Sequence, residues 1–281
     1  MKLKLIIRTV FLWLLAAVAL MPLVMTLSGS LMGKTELIDN IGPVLQDGKG
    51  SVGMPIFPGM PTLKQYLQLL LDTPKFLDMF WNSVMLVVPI LIGQVLVGTL
   101  AAWGFARYRF RFKEGLFMLY IALMMMPFQV TLVPTNLVLD ALHLLDSRWA
   151  LILPAIFNTI AVFLLRQFFE SVPRAMSEAA EIDGAGEWKV FLKVALPIAV
   201  PGIVSLVVLQ FFENWNLVEP GLIFLRDRQK WPLSLYLTTI GQSNADVAMA
   251  SSIITILPAI LIFLYGETYL LQGIRVSGLK E

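Results

Sequence analysis

The chain has 281 residues, 58% of them hydrophobic and 14% charged, with a mean hydropathy of +0.79. A soluble domain carries about 25% charged residues to clothe its core, so this composition excludes both an ordinary soluble protein and a disordered one. The net charge of +2 makes no case for nucleic acid. The absence of cysteine removes disulfides, thiolate metal sites and a thiol nucleophile, and one histidine cannot build a metal cluster.

Six windows contain no Asp, Glu, Lys or Arg: residues 9–33, 79–106, 115–139, 149–165, 194–212 and 247–266. A bilayer crossing takes about 20 mostly apolar residues, and a charge at its centre costs about 2.5–3.5 kcal/mol. Each window therefore predicts a transmembrane helix, and the fourth is long enough only if Arg166 snorkels. The fold class expected is an all-α polytopic membrane protein, a single transmembrane domain over residues 1–281 with six spans.

The first window has a signal-peptide alternative, because Lys2, Lys4 and Arg8 precede it and Ala17-Val18-Ala19 imitates a cleavage site. Its apolar run continues to Leu27, longer than the core of such a peptide, which favours a span. With the N-terminus inside, the inner connections hold 13 Lys and Arg and the outer ones 8, the cluster Arg107, Arg109, Arg111 and Lys113 deciding the sign. Both termini are expected in the cytoplasm. The outer segment 34–78, with Pro43, Pro55, Pro58 and Pro61, predicts an irregular surface loop. Within it, residues 42–50 (GPVLQDGKG) fail as a phosphate-binding loop, since five residues separate the glycines and Gly50 follows Lys49. No nucleotide site is expected in this chain.

Inside the spans, Gln94, Gln129, Asn158, Ser205 and Gln210 offer hydrogen bonds either to a polar path through the membrane or to neighbouring helices. Met124-Met125-Met126 reads as a pliable gate or as lipid-facing filler. His143 is read as an incidental outer-loop residue. The longest inner connection, residues 166–193, reads as two short helices. Pro173 starts the first, Met176, Ala179 and Ala180 share a face, and Asp183-Gly184 ends it in a left-handed turn. The second carries an apolar ridge of Trp188, Val190, Phe191 and Leu192. A charged loop lying on the lipid headgroups is the alternative.

Glu178-Ala179-Ala180, then Gly184, then Val194-Ala195-Leu196-Pro197 resembles the EAA loop of permease subunits in binding-protein-dependent ABC importers. Residues 173–185 (PRAMSEAAEIDGA) are similar to the carbohydrate branch, the group containing the smaller permease of the maltose transporter. Residues 22–31, 82–83, 105–112, 127–134, 144–154 and 272–280 agree with it. One departure stands out: after span five, Asn214-Trp215-Asn216 runs into Leu217-Val218-Glu219-Pro220 where the family usually has a Trp-Pro pair, so solute type and receptor docking are in doubt there.

This resemblance implies half of the translocation path of an ATP-driven importer for a sugar or sugar-like solute, in a bacterial or archaeal cytoplasmic membrane. The implied partners are a second permease subunit, two ATPase subunits that bind the ATP, and an extracytoplasmic solute-binding protein. It implies a cytoplasmic coupling loop over 173–197 in which Glu178, Ala179, Ala180, Asp183, Gly184 and Phe191 meet the ATPase, and a C-terminal tail that touches it too. No enzymatic activity is expected. Polyamine and phosphate importers share parts of the loop and stay open as solute alternatives. A secondary transporter or an intramembrane enzyme would need ionisable groups at mid-span, and the six windows have none.

Overall fold

The computed structural model describes residues 2–47, 53, 55–240 and 244–278, with side chains at 4–40, 53, 55–240 and 244–270. Among them the backbone is helical almost throughout and contains no strand. Five helices are long and apolar enough to cross a membrane, or six if one bent pair counts as a span. The chain divides into two compact units, residues 1–80 with 235–258, and residues 81–234 with 259–281.

In the first unit α1 (Lys2–Ser30) exposes apolar side chains from Leu5 to Val24, a surface that only lipid or another apolar helix can cover. The segment after it is ordered, which corrects the expected irregular loop. Lys34–Asp47 forms α2, because Leu37 and Ile38 begin an apolar face and Glu36 sits in the first turn. The Glu36 carboxylate also accepts from the backbone N–H of Gly59 at 2.6 Å and of Met60 at 3.4 Å. Ser28 Oγ donates to the Pro55 carbonyl at 2.9 Å, and Ser30 shares a hydroxyl–hydroxyl bond of 2.7 Å with Tyr66. Among the described residues of this segment irregular backbone falls mainly in the proline-bearing stretch before α3 (Lys64–Leu67), which runs on through one π-helical turn, Gln68–Asp72. Residues 48–52, and with them most of the GPVLQDGKG glycines, lie outside the described residues.

The second unit begins within α4 (Pro74–Arg107). The third window is not one straight helix. It forms α5 (Lys113–Met124) and α6 (Phe128–Ala141), bent by 101° at Met125–Pro127. Proline disfavours the helical conformation in the residue before it, and Pro127 itself is extended with ψ 144°. The fourth window divides as well, into α7 (Trp149–Ile156) and α8 (Thr159–Glu170), with Asn158 capping α8 by accepting from Ala161 N–H at 3.2 Å.

Helix α8 continues past Arg166, so the fourth crossing gains its length from helix rather than from snorkelling. Arg166 is buried, paired with Glu170 at 2.8 Å and with Glu114 at 3.4 Å, and its guanidinium lies 3.7 Å over the Phe117 ring. After it come α9 (Arg174–Ile182), α10 (Glu187–Val190), a π-helical turn at Phe191–Ala195, α11 (Leu196–Trp215), α12 (Glu219–Phe224), α13 (Leu233–Thr239) and α14 (Ala245–Gly278). The first part of α14, to Pro258, belongs to the first unit.

Two cores hold the second unit. One gathers Trp103 of α4, Leu165, Phe168 and Phe169 of α8, and Val190, Phe191, Ala199 and Leu206 around the start of α11. Helices α8 and α11 pack closely there because Gly202 lies against the Phe168 ring, where any Cβ would collide. The other core joins Leu86 and Ile90 of α4 to Leu139, Leu151, Ile152, Phe224 and Leu225.

Near the second core Asp146, in the left-handed conformation with φ 57°, fastens the α6–α7 corner. Its carboxylate accepts from the backbone N–H of Asp227 at 2.9 Å and of Arg226 at 3.1 Å, and from Lys230 Nζ at 3.2 Å. The Asp227 N–H, more than the Lys230 charge, holds its pKa below the ordinary value of 3.8. A carboxyl with a depressed folded-state pKa stabilises above its unfolded value and loses that contribution as pH falls through the folded one. Hydrogen exchange at the amides of Arg226 and Asp227 should therefore quicken as pH drops below the ordinary carboxylate value of 3.8, after correction for intrinsic rates, and Asp146→Asn should show much of that loosening already at pH 7. An unchanged protection factor across that range would contradict it.

Candidate functional site

Two features of the second unit fit the chemistry that the sequence suggests. The first is the reversal between α9 and α10. Pro173 serves as the N-cap of α9 with ψ 128°, one position before the expected helix start. At the other end Gly184 takes φ +81°, as its place after Asp183 predicts. Gly184 N–H bonds the Glu181 carbonyl at 3.0 Å and Ala185 N–H bonds the Ala180 carbonyl at 2.9 Å, the paired pattern of a left-handed helix terminus. An ion pair between Arg107 and Glu181 ties α9 to the end of α4.

Glu178, Ala179, Asp183 and Gly184 are exposed on this reversal, whereas Ala180 is half-buried against the α4–α8–α11 core. Phe191 is the correction. It is 5% exposed and packs on Trp103, Phe169 and Trp188, with ring centroids 5.9, 6.1 and 5.9 Å away. Val190 is buried too, so the expected ridge exposes only Trp188 and Leu192. The outward apolar side chains of the reversal are Met176, Ile182 and Trp188. Ile182, three residues after Ala179 and the last residue of α9, extends the expected face by one more apolar side chain. Side chains 271–278 and all of 279–281, the expected contact tail, lie outside the described residues.

The second feature is a cleft of about 780 Å³ where three breaks in helical structure meet. The α5–α6 elbow contributes Met124, Met126, Phe128, Thr131 and Thr135; the α7–α8 break contributes Pro154, Phe157 and Asn158; the end of α11 and the start of α12 contribute Glu213, Asn214, Asn216 and Glu219. Polar and aromatic groups thus face one space. Of the five predicted path residues, only Asn158 lines it. Gln210 stands behind, its Oε1 accepting from Asn158 Nδ2 at 2.9 Å and from Gln94 Nε2 at 3.2 Å, while Gln94 Nε2 also donates to the Ala155 carbonyl at 2.8 Å.

Gln94 and Gln210 are therefore buried cross-helix bonds that hold the α7–α8 break against α4 and α11. Ser205 belongs to neither group: its Oγ lies 2.8 Å from the Pro201 carbonyl and 3.1 Å from the Tyr269 carbonyl, joining α11 to α14. Gln129 reaches the Glu219 carboxylate at 3.1 Å. The residues missed, Glu213, Asn214, Asn216 and Glu219, fall in the stretch where the sequence departs from the family pattern, and that departure was the signal for them. Met124 and Met126 line the cleft, and Met125 is exposed. His143 holds a left-handed turn after α6 with φ 55°.

Residues 94–276 match the model of the binding-protein-dependent transport system inner membrane component family, and the chain belongs to that family. The chain is 29% identical over 269 residues to the arabinooligosaccharides transport system permease protein AraQ of Halalkalibacterium halodurans, covering 95% of this chain and 93% of that one. It is 34% identical over 225 residues to a probable ABC transporter permease of Pyrococcus horikoshii, covering 78% and 81%. The fold is that of a bacterial ABC transporter involved in the import of the acidic polysaccharide alginate, with a TM-score of 0.81, 22% identity and coverage of 95% and 96%.

Proposed function

We propose that this chain is one half of the membrane path of an ATP-driven importer for a neutral oligosaccharide or sugar-like solute. A solute-binding protein delivers the solute, a second permease chain completes the path, and two separate ATPase subunits bind the ATP. In this reading both termini and the α9–α10 reversal face the cytoplasm and the cleft opens toward the outer side. The single observation that carries the solute class is the lining of the cleft: Glu213 and Glu219 are its only charged residues, and no cation accompanies them. Two carboxylates repel a phosphate or uronate and accept hydrogen bonds from sugar hydroxyls, while Phe128, Phe157 and Pro154 offer apolar faces to the ring. The names of relatives divide between these chemistries. AraQ is named for arabinooligosaccharides, and UgpE of Yersinia pestis, 30% identical over 201 residues, for sn-glycerol-3-phosphate. The charge of this cleft sides with the neutral group.

Because the chain has no cysteine, Asn216→Cys places a unique thiol on an exposed position of the cleft. An impermeant maleimide should label it from outside intact cells, and arabinooligosaccharide with its binding protein should slow that labelling severalfold, whereas glycerol 3-phosphate should not. Labelling only after the cells are opened, or equal protection by the anionic solute, would contradict the reading.

A further inference from the structure

The cytoplasm-type end of the second unit contains a second cavity, about 380 Å³, that lies apart from the solute cleft. Its walls come from the end of α4, the start of α5, the end of α8 and the start of α9. Four cations line it, Arg107, Lys113, Arg166 and Arg174, against two carboxylates, Glu114 and Glu170. Arg107 is engaged by Glu181, and Arg166 by Glu170 and Glu114. Lys113 and Arg174 form no ion pair among the described residues.

Arg166 is 9% exposed, and its Nη1, beside the Phe117 ring over which the guanidinium lies, has no hydrogen-bond partner among the described residues. An unpaired guanidinium nitrogen is costly, and an oxygen of an anion drawn to this cluster of cations would satisfy it. Both α5 and α9 also begin at this cavity. Neither has a side chain capping its first turn, so the positive ends of two helix dipoles lie beside the same space.

We infer that this cavity binds a phosphate group, with Lys113, Arg166 and Arg174 as its charged contacts, and that the occupant in the cell is the headgroup of an anionic phospholipid. The connection beside the cavity supports a lipid source. Tyr108, Phe110 and Phe112 are exposed and alternate with Arg109 and Arg111, the aromatic and basic mixture that settles at a membrane interface. Since Arg107 and Arg174 touch both the cavity and the α9 segment, an occupied site would brace the base of the reversal proposed to meet the ATPase. The binding itself does not depend on the solute or on that coupling.

The full chain in phosphatidylcholine nanodiscs doped with phosphatidylglycerol provides the test. The chain is released from them into mild detergent, and retained lipid is counted by native mass spectrometry. Phosphatidylglycerol should be retained in preference to phosphatidylcholine, and the Lys113→Gln/Arg174→Gln double variant should retain it on the order of thirtyfold less, at about 1 kcal/mol for each interfacial charge. Both positions are at the rim, so this variant should melt normally. Arg226→Gln/Arg228→Gln, removing two cations elsewhere, should retain lipid as the native chain does. In phosphatidylcholine alone, inorganic phosphate that raises the melting temperature of the native chain but not of the double variant would support the same site with free phosphate as its occupant. Equal lipid retention by native chain and double variant, together with no effect of inorganic phosphate, would overturn the inference.

Discussion

Phe191→Ala is expected to destabilise the second unit by about 3–5 kcal/mol, the usual cost of removing a large aromatic from a packed core. The ring touches Trp103, Phe169 and Trp188, and the helix beneath it is a π-turn that leads directly into α11. No flexible side chain stands ready to refill the space, since Val190 and Ala195 beside it are themselves fully buried. The melting temperature in detergent should fall by many degrees and ATPase retention should fall with it. Trp188→Ala separates stability from docking. Trp188 is 67% exposed, so its loss should leave the melting temperature nearly unchanged while ATPase co-purification drops. Equal melting temperatures for native chain and Phe191→Ala would show that the ring is not a core element.

The second large effect belongs to Gly184→Val. No atom lies within 4 Å of the position a Cβ would take, so the substitution meets no steric wall. The whole penalty comes from the backbone, because φ +81° is a conformation that costs a side-chain-bearing residue about 1–2 kcal/mol and a β-branched one more. Relief of that strain breaks the bonds from Gly184 to Glu181 and from Ala185 to Ala180, and α10 swings away from α9. Uptake should be lost while the chain still inserts in the membrane and the spans still pack. Gly184→Asn supplies the control, since asparagine tolerates the left-handed conformation, and should keep most of the activity. A fully active Gly184→Val would mean that the reversal transmits nothing.

The helical class, the number of apolar stretches and the α9–Gly184–α10 reversal were legible because each rests on local chemistry. Charge-free windows must be helical in lipid, and Gly184 after Asp183 marks a left-handed end wherever it occurs. The misreadings share a cause of another kind. Nothing in the composition of the third window separates a straight span from an elbow, and Pro127 fixes the 101° bend only in combination with the packing of α5 on α8. Phe191 and Trp188 are both large and apolar on one short helix. Which of them faces inward depends on the π-turn at Phe191–Ala195, which shifts the phase of the side chains and leaves no mark in the pattern of apolar residues. Segment 34–78 looked irregular because of its prolines, although three of the five cluster in residues 55–61 and only Pro43 falls within the Lys34–Asp47 helix.

The cleft divided in the same way. Asn158 was accessible from its polarity within an apolar window. Gln94 and Gln210 have the same polarity, and only the three-dimensional partners show that they brace the helices behind Asn158 rather than face the open space. Glu213 and Glu219 escaped because a carboxylate outside a span reads as ordinary surface until the α7–α8 break is seen opposite it.

The most direct test of the account is ATP-driven uptake in sealed vesicles. The chain is reconstituted with its second permease, the ATPase subunits and the solute-binding protein, and accumulation of labelled arabinooligosaccharide is measured with and without ATP. The account predicts accumulation that requires this chain, ATP and the binding protein together, and that excess glycerol 3-phosphate leaves untouched. Accumulation that persists when this chain is omitted, or that needs no ATP, would contradict it.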